Sequence, residues 1–230
     1  MGKIIKKAIC YFGGMFLIAF GIRISALSAT GISPVSSIPR ACEKIFAKFG
    51  IEGISLGMST SMIYIILIIL QIIILRKKYK PIQLLQFGIT FILSYFIDIC
   101  LFVNNFLPKP SNYFIQLLYL VISIAIIAIG VAFYLMPKWI PLPAEGLSAA
   151  ISEASDGKIA FHNAKSRVDT SMVIVAAVLA FALLGGVRAF TDPNIVVVRE
   201  GTIAAAIFVG KGVGIINKAI KEKVVAWIDK

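Results

Sequence analysis

Six stretches of this chain are apolar over about 20 residues, the length an α-helix needs to cross a bilayer. They run over roughly 8–28, 55–75, 82–104, 113–136, 168–188 and 197–217. A backbone in hydrocarbon must satisfy its own hydrogen bonds, so stretches of this length are expected to be helices. The clearest, "MIYIILIILQIIIL", ends at the stop "RKKYKP". The fourth, "FIQLLYLVISIAIIAIGVAFYLM", is nearly as strong. The sixth, "GTIAAAIFVGKGVGII", is rich in small residues, which let membrane helices pack closely. The first apolar run follows the basic flank "MGKIIKK" as a signal peptide would, but it is long enough to span and is read as a mature helix.

Composition agrees with this reading. Of 230 residues, 59% are apolar and 15% charged, against roughly 25% charged in a soluble domain. Too few polar residues are present to cover a water-facing surface, which excludes a soluble enzyme and a disordered chain. The formal charge of +12 reports topology rather than nucleic acid, because basic residues gather on the cytoplasmic side of a membrane. Lys3, Lys6 and Lys7 precede the first span. Arg76, Lys77, Lys78 and Lys80 follow the second, and Lys138, Lys158, Lys165 and Arg167 lie between the fourth and fifth. Lys218, Lys221 and Lys223 follow the sixth. Both termini are therefore expected in the cytoplasm of a bacterial cell, as a multi-pass protein of the inner membrane. Arg40, Lys44 and Lys48 in the first outer linker run against the trend, offset by Glu43 and Glu52.

Two linkers, 30–53 and 137–167, each begin with Pro and Gly and hold a short apolar-periodic segment. The first is expected to start a helix near Ser33 or Pro34, the second between Pro143 and Glu145, where Pro and an acid suit a first turn. Segments 34–48 and 143–155 are too short to span. They either lie flat at the interface or dip into the membrane as half-helices.

The two halves of the chain resemble each other. Thr60-Ser61-Met62 and Thr170-Ser171-Met172 are identical triplets 110 residues apart. Gly21 and Gly130, "PVSSI" (34–38) and "GLSAA" (146–150), and "FGITFILSYFIDI" (87–99) and "EGTIAAAIFVGKGVG" (200–214) follow in the same order. Each half, 8–104 and 113–217, supplies three spans and one short segment. An odd span number turns the second copy upside down relative to the first, as in many secondary transporters. The expected architecture is all-α: one polytopic domain over 1–230, six spans in two inverted repeats, each with a short helix that dips in or lies flat.

"FGIRISALSATGISPVSSI" (20–38), "FGITFILSYFIDICLF" (87–102), "PLPAEGLSAAI" (141–151) and "EGTIAAAIFVGKGVGII" (200–216) together give the chain a resemblance to the YitT and YczE group of bacterial integral membrane proteins. The resemblance covers nearly the whole chain and implies a polytopic, transport-like protein of the cytoplasmic membrane. It implies no substrate and no catalytic residue. The second linker, "SEASDGKIAFHNAKSRVD" (152–169), is longer than that pattern.

Ionisable residues within apolar spans are functional candidates because they are costly there. Asp98 lies in the third span and Lys211 in the sixth, at matching repeat positions, and both are expected to line a polar route on opposite sides of its midplane. Arg23 ends the first span as an interface anchor or an anion-attracting group. Glu145 opens the second short segment as a cap or a cavity-facing acid. Asp169, beside Arg167, reads as the cap of the fifth span. Ser33, Ser36, Thr60, Ser61, Ser148, Thr170 and Ser171 are hydroxyls near the short segments that can coordinate a solute or bond helix to helix. His162 falls in a linker. Cys10, Cys42 and Cys100 show no metal spacing, and Cys10 and Cys100 read as packing residues. No enzyme motif, cofactor fingerprint or metal site is present, and "GKGVG" (210–214) lies in a span without the strand a phosphate loop needs.

The expected function is a secondary transporter or facilitator of a small polar solute, anionic solutes included. A channel-like conduit and a non-transporting membrane partner or sensor are the alternatives. Membrane lipids and the solute are the expected partners, nucleic acid is not, and the small residues of the sixth span suit packing within the bundle or a homodimer.

Overall fold

The computed structural model describes residues 2–229, which are helical throughout their regular structure, with no strand among them. Ten α-helices follow in order: α1 Gly2–Leu27, α2 Pro34–Lys48, α3 Leu56–Leu75, α4 Leu85–Ile99, α5 Val103–Phe106, α6 Tyr113–Leu135, α7 Pro143–Ala154, α8 Phe161–Leu184, α9 Arg188–Thr191 and α10 Glu200–Asp229. Tight 3₁₀ turns extend α3 to Lys78 and join Pro81 through α4 to Phe106, so six helical segments are long and apolar enough to cross a membrane. The protein has a multi-pass membrane architecture. Ile73, Phe114 and Val178 are 59%, 75% and 61% exposed, an arrangement for lipid rather than water.

Local chemistry explains four of the helix starts. Ser55 caps α3 by accepting from the Met58 N–H at 2.9 Å, and Asn112 caps α6 by accepting from Ile115 at 2.9 Å. Pro34 and Pro143 open α2 and α7, as the linker composition predicts. Both short helices are buried at their starts and exposed at their ends.

The fifth span departs from expectation. It begins at Phe161, not 168, and ends at Leu184. No Pro or Gly interrupts the chain from 158 to 184, so the helix continues backwards through polar residues that an apolar-run rule assigns to a loop. His162, Lys165 and Arg167 are consequently helical, and Asp169 lies two turns inside α8 instead of capping it. Thr170 and Ser171 fall on its exposed side. The sixth span is also longer than its apolar run, reaching Asp229.

The chain divides into two compact units. One takes the residues up to Ser33, Phe96–Trp139 and those from Arg199 onward. The other takes Pro34–Tyr95 and Ile140–Val198, the division falling within α4.

In the first unit α1 packs along α6, and α10 packs on α6. The α1–α6 crossing is close because small residues meet there. A Cβ on Gly14 would stand 2.7 Å from the Gly130 carbonyl oxygen, and one on Gly21 would stand 3.2 Å from the Ser123 carbonyl oxygen. Membrane helices gain contact area by such approach. Ala29 and Lys138, just past the ends of α1 and α6, both have positive φ, at 57° and 54°, an uncommon conformation for residues with a Cβ.

In the second unit α2 packs on α8 and α3, and α7 packs on α3 and α8. Ala41 of α2 joins Ala176, Ala180 and Leu184 of α8 in a buried apolar cluster. Positive φ also marks the breaks after α3 and α8: Arg76 at 47°, and Gly185 and Gly186 at 108° and 65°.

Candidate functional site

The start of α7 carries the densest buried polar chemistry. Helix starts leave backbone N–H groups unsatisfied, and in an apolar setting such groups need partners. Gln71 of α3 and Gln86 of α4, both fully buried, supply the polar surroundings there. Each amide donates to the other at 3.1 Å, and Gln71 Nε2 also donates to the Pro143 carbonyl at 3.2 Å. The pair fits only because residue 146 is glycine: a Cβ there would stand 2.6 Å from Gln71 Oε1 and 2.9 Å from Gln86 Nε2.

Beside this clamp is an ion cluster. Lys165 Nζ donates to Asp169 Oδ1 at 2.7 Å, one helical turn on, and lies 3.4 Å from Glu145 Oε1 in the first turn of α7. The three side chains are 20–24% exposed. Glu145 Oε2 is buried and forms no hydrogen bond among the described residues. Tyr64 of α3, 3% exposed, lies within electrostatic range of both carboxylates. One ammonium faces two carboxylates, so the cluster has an excess of negative charge where charge is costly. An arrangement of this kind can exchange a cation or hold a polar solute by its donors and acceptors.

Two further hydroxyls of this unit, Ser59 Oγ on α3 and Thr90 Oγ1 on α4, are fully buried without a partner among the described residues. Ser94 Oγ donates to the Gly57 carbonyl and joins those two helices. At the exposed edge Lys78 bonds Asp156 at 2.9 Å and holds that carboxyl below the usual carboxylate range.

The first unit contains a separate ion pair. Arg23, 5% exposed, donates through Nε to the Ile97 carbonyl at 2.6 Å and through a terminal nitrogen to Asp98 Oδ1 at 3.0 Å. Nearby, Arg199 donates to the Ala29 carbonyl at 3.0 Å, and the Gly201 N–H donates to the Thr30 carbonyl at 2.8 Å, tying the end of α1 to the start of α10. Among the described residues no three His, Cys, Asp or Glu side chains converge to hold a metal ion.

The family comparison matches residues 5–218 to DUF6198, a family of unknown function. The chain belongs to that family. It is also 30% identical over 152 residues to the uncharacterized protein YyaS of Bacillus subtilis (strain 168), covering 66% of this chain and 71% of that protein. No solved structure matches it.

In this DUF6198 member the residues singled out by sequence separate into four groups. Arg23 and Asp98 meet each other, a pairing across 75 residues that no local pattern announces. Glu145 enters the ion cluster. Ser33, Ser36, Thr60, Ser61 and Ser148 are buried, Thr60 and Ser148 returning their hydroxyl protons to the carbonyls of Leu56 and Ala144. Thr170, Ser171 and Lys211 are exposed. Lys211 Nζ lies 5.6 Å from the Phe208 ring centre. Sequence reasoning missed Lys165, Asp169 as its partner, Tyr64, Gln71 and Gln86. A signal was present for four of them, an acid four residues after a lysine and a glutamine inside an apolar run, and none for Tyr64.

Proposed function

We propose that this protein is a secondary transporter or facilitator that carries a small polar solute across the bacterial cytoplasmic membrane. The observation that carries the reading is the Glu145–Lys165–Asp169 cluster, at the start of a helix too short to span, within a six-span helical protein. Buried ionisable groups in membrane helices serve ion and substrate pathways far more often than stability. Short helices with buried starts are the parts from which transporters build such sites. The negative excess of the cluster favours a cationic or neutral solute over an anion, and Asp98 already matches the charge of Arg23.

In this reading residues 8–104 and 113–217 form inverted repeats, with α2 and α7 as their re-entrant helices. The matched breaks support it: Ala29 with Lys138, 109 residues apart, and Arg76 with Gly186, 110 apart. So does the exchange of partners. Gly14 meets Gly130 as Gly21 meets Ser123, and α2 lies on α8 as α7 lies on α3. The likeness to the YitT and YczE group points the same way, and the basic clusters favour both termini inside. Outside labelling of a single cysteine should then reach position 109 and miss position 78.

Proteoliposomes of the full chain, offered labelled amines, zwitterionic amino acids, polyols and carboxylates in turn, test the function. Saturable uptake of one class, reduced at least tenfold in Glu145→Gln, is expected. Linear, unsaturable flux would favour a channel. No flux of any class from protein that elutes as one folded species would favour the partner or sensor role.

A further inference from the structure

We propose that the first unit holds a specific site for one anionic glycerophospholipid, its acyl chain in a groove between α1, α6 and α10 and its phosphate at the lysines on the rim. The groove has a volume of about 580 Å³. Cys10, Gly13 and Leu17 of α1, Phe133 of α6, and Lys223 and Trp227 of α10 form its walls. All of these except Lys223 present apolar surface, which suits a hydrocarbon chain and offers a polar solute almost nothing.

Charge at the open end selects the headgroup. Lys6 Nζ donates to the Trp227 carbonyl at 3.0 Å and lies 5.2 Å from that indole's centre. The start of α1 and the end of α10 therefore stand at one membrane face. Lys3, Lys6 and Lys7 from α1 and Lys221 and Lys223 from α10 collect there, with Glu222 among them. Trp227 is 45% exposed, as a tryptophan at the headgroup level is expected to be. Basic pockets between membrane helices bind anionic headgroups through this juxtaposition of lysines and an apolar slot.

Gly13 offers a way to close the slot. A Cβ at this position meets nothing within 4 Å, and the residue lines the groove, so a side chain added here starts in open space. Gly13→Leu is expected to fold and to exclude the acyl chain. Lys223→Gln keeps the slot and removes one charge.

The test uses the full chain in neutral detergent, with bound lipid counted by native mass spectrometry. The probes are dioleoyl phosphatidylglycerol and dioleoyl phosphatidylcholine, with glycerol phosphate as the headgroup alone. One phosphatidylglycerol should bind tightly and phosphatidylcholine at least tenfold more weakly. Lys223→Gln should weaken phosphatidylglycerol about fivefold, the effect of one juxtamembrane lysine. Gly13→Leu should abolish that binding with an unchanged elution profile. Equal binding of the two lipids would overturn the charge selection. Wild-type phosphatidylglycerol binding by Gly13→Leu would place the lipid elsewhere. Glycerol phosphate bound as tightly as the lipid would remove the groove from the site. Should Gly13→Leu not fold, Lys223→Gln and the lipid comparison decide the matter without it.

Discussion

The two helical hairpins of the second unit, α2 with α3 and α7 with α8, share a frame but not a chemistry. Each begins with a proline-opened short helix, buried at its start, and continues into a spanning helix. At an offset of 110 residues, Ser55 and Ser59 of the first hairpin stand where Lys165 and Asp169 stand in the second. Ser55 only caps α3. Lys165 is already a turn inside α8, because α8 starts five residues earlier than α3 in this register. The polar extension at the start of α8 is thus the device that brings a lysine to two carboxylates. The comparison teaches that two hairpins of similar shape can carry different charge: α2 holds a balanced Arg40–Glu43 pair at 2.6 Å, whereas the second hairpin sets one lysine against two carboxylates.

Removing the cation should break this contrast most severely. Lys165→Met leaves Glu145 and Asp169 without a counter-charge and should cost about 3–5 kcal/mol, read as a lowered thermal midpoint in detergent. The triple change with Glu145→Gln and Asp169→Asn should recover most of the loss. A single variant as stable as wild type would show that the cluster is hydrated like a surface pair.

Next comes the clamp. Gly146→Ala drives a methyl into the Gln71–Gln86 pair and should cost about 1–3 kcal/mol by leaving buried amides unsatisfied. Its counterpart at the same offset, Ser36→Ala on α2, should cost about 1 kcal/mol or less. Equal losses would mean that the two helix starts are held alike.

The repeated triplet allows a finer comparison. Thr170→Val and Ser171→Ala change exposed groups and should leave stability within about 0.5 kcal/mol. They should also leave any measured flux unchanged. A large loss of flux from either would return the second triplet to the site.

The smallest effect belongs to the edge pair. Lys78 depresses the Asp156 carboxyl, so its contribution is present above the ordinary carboxylate range and disappears as pH falls through roughly 4 and below. Both groups are exposed, so the loss should be barely resolved. Asp156→Asn should make the thermal midpoint fractionally less sensitive to acid over that window, and a larger change would mark a buried partner.

Much of this protein was legible without coordinates, for physical reasons. Hydrocarbon forces apolar runs of span length into helices, so the six spans followed from counting residues. Proline and glycine act on their own φ angles, so the short helices at 34–48 and 143–154 were readable from their openings. Cys10 and Cys100 were read as packing residues, and both are buried free thiols.

Tertiary structure alone decided the partners. Arg23 and Asp98 lie 75 residues apart in sequence, and Gln71 and Pro143 lie 72 apart. Nothing in the local pattern of either member names the other. Lys165 and Asp169 were near each other on any helix, but the sequence reading put Lys165 in the linker and Asp169 at the cap of the fifth span, because charge density reads as solvent. Only the packing of α7 against α8 turned them towards Glu145. Periodicity and composition determine where a chain enters and leaves a membrane, since each residue responds to its own surroundings. Which charges share a dielectric, and with what sign in excess, depends on helices crossing in space.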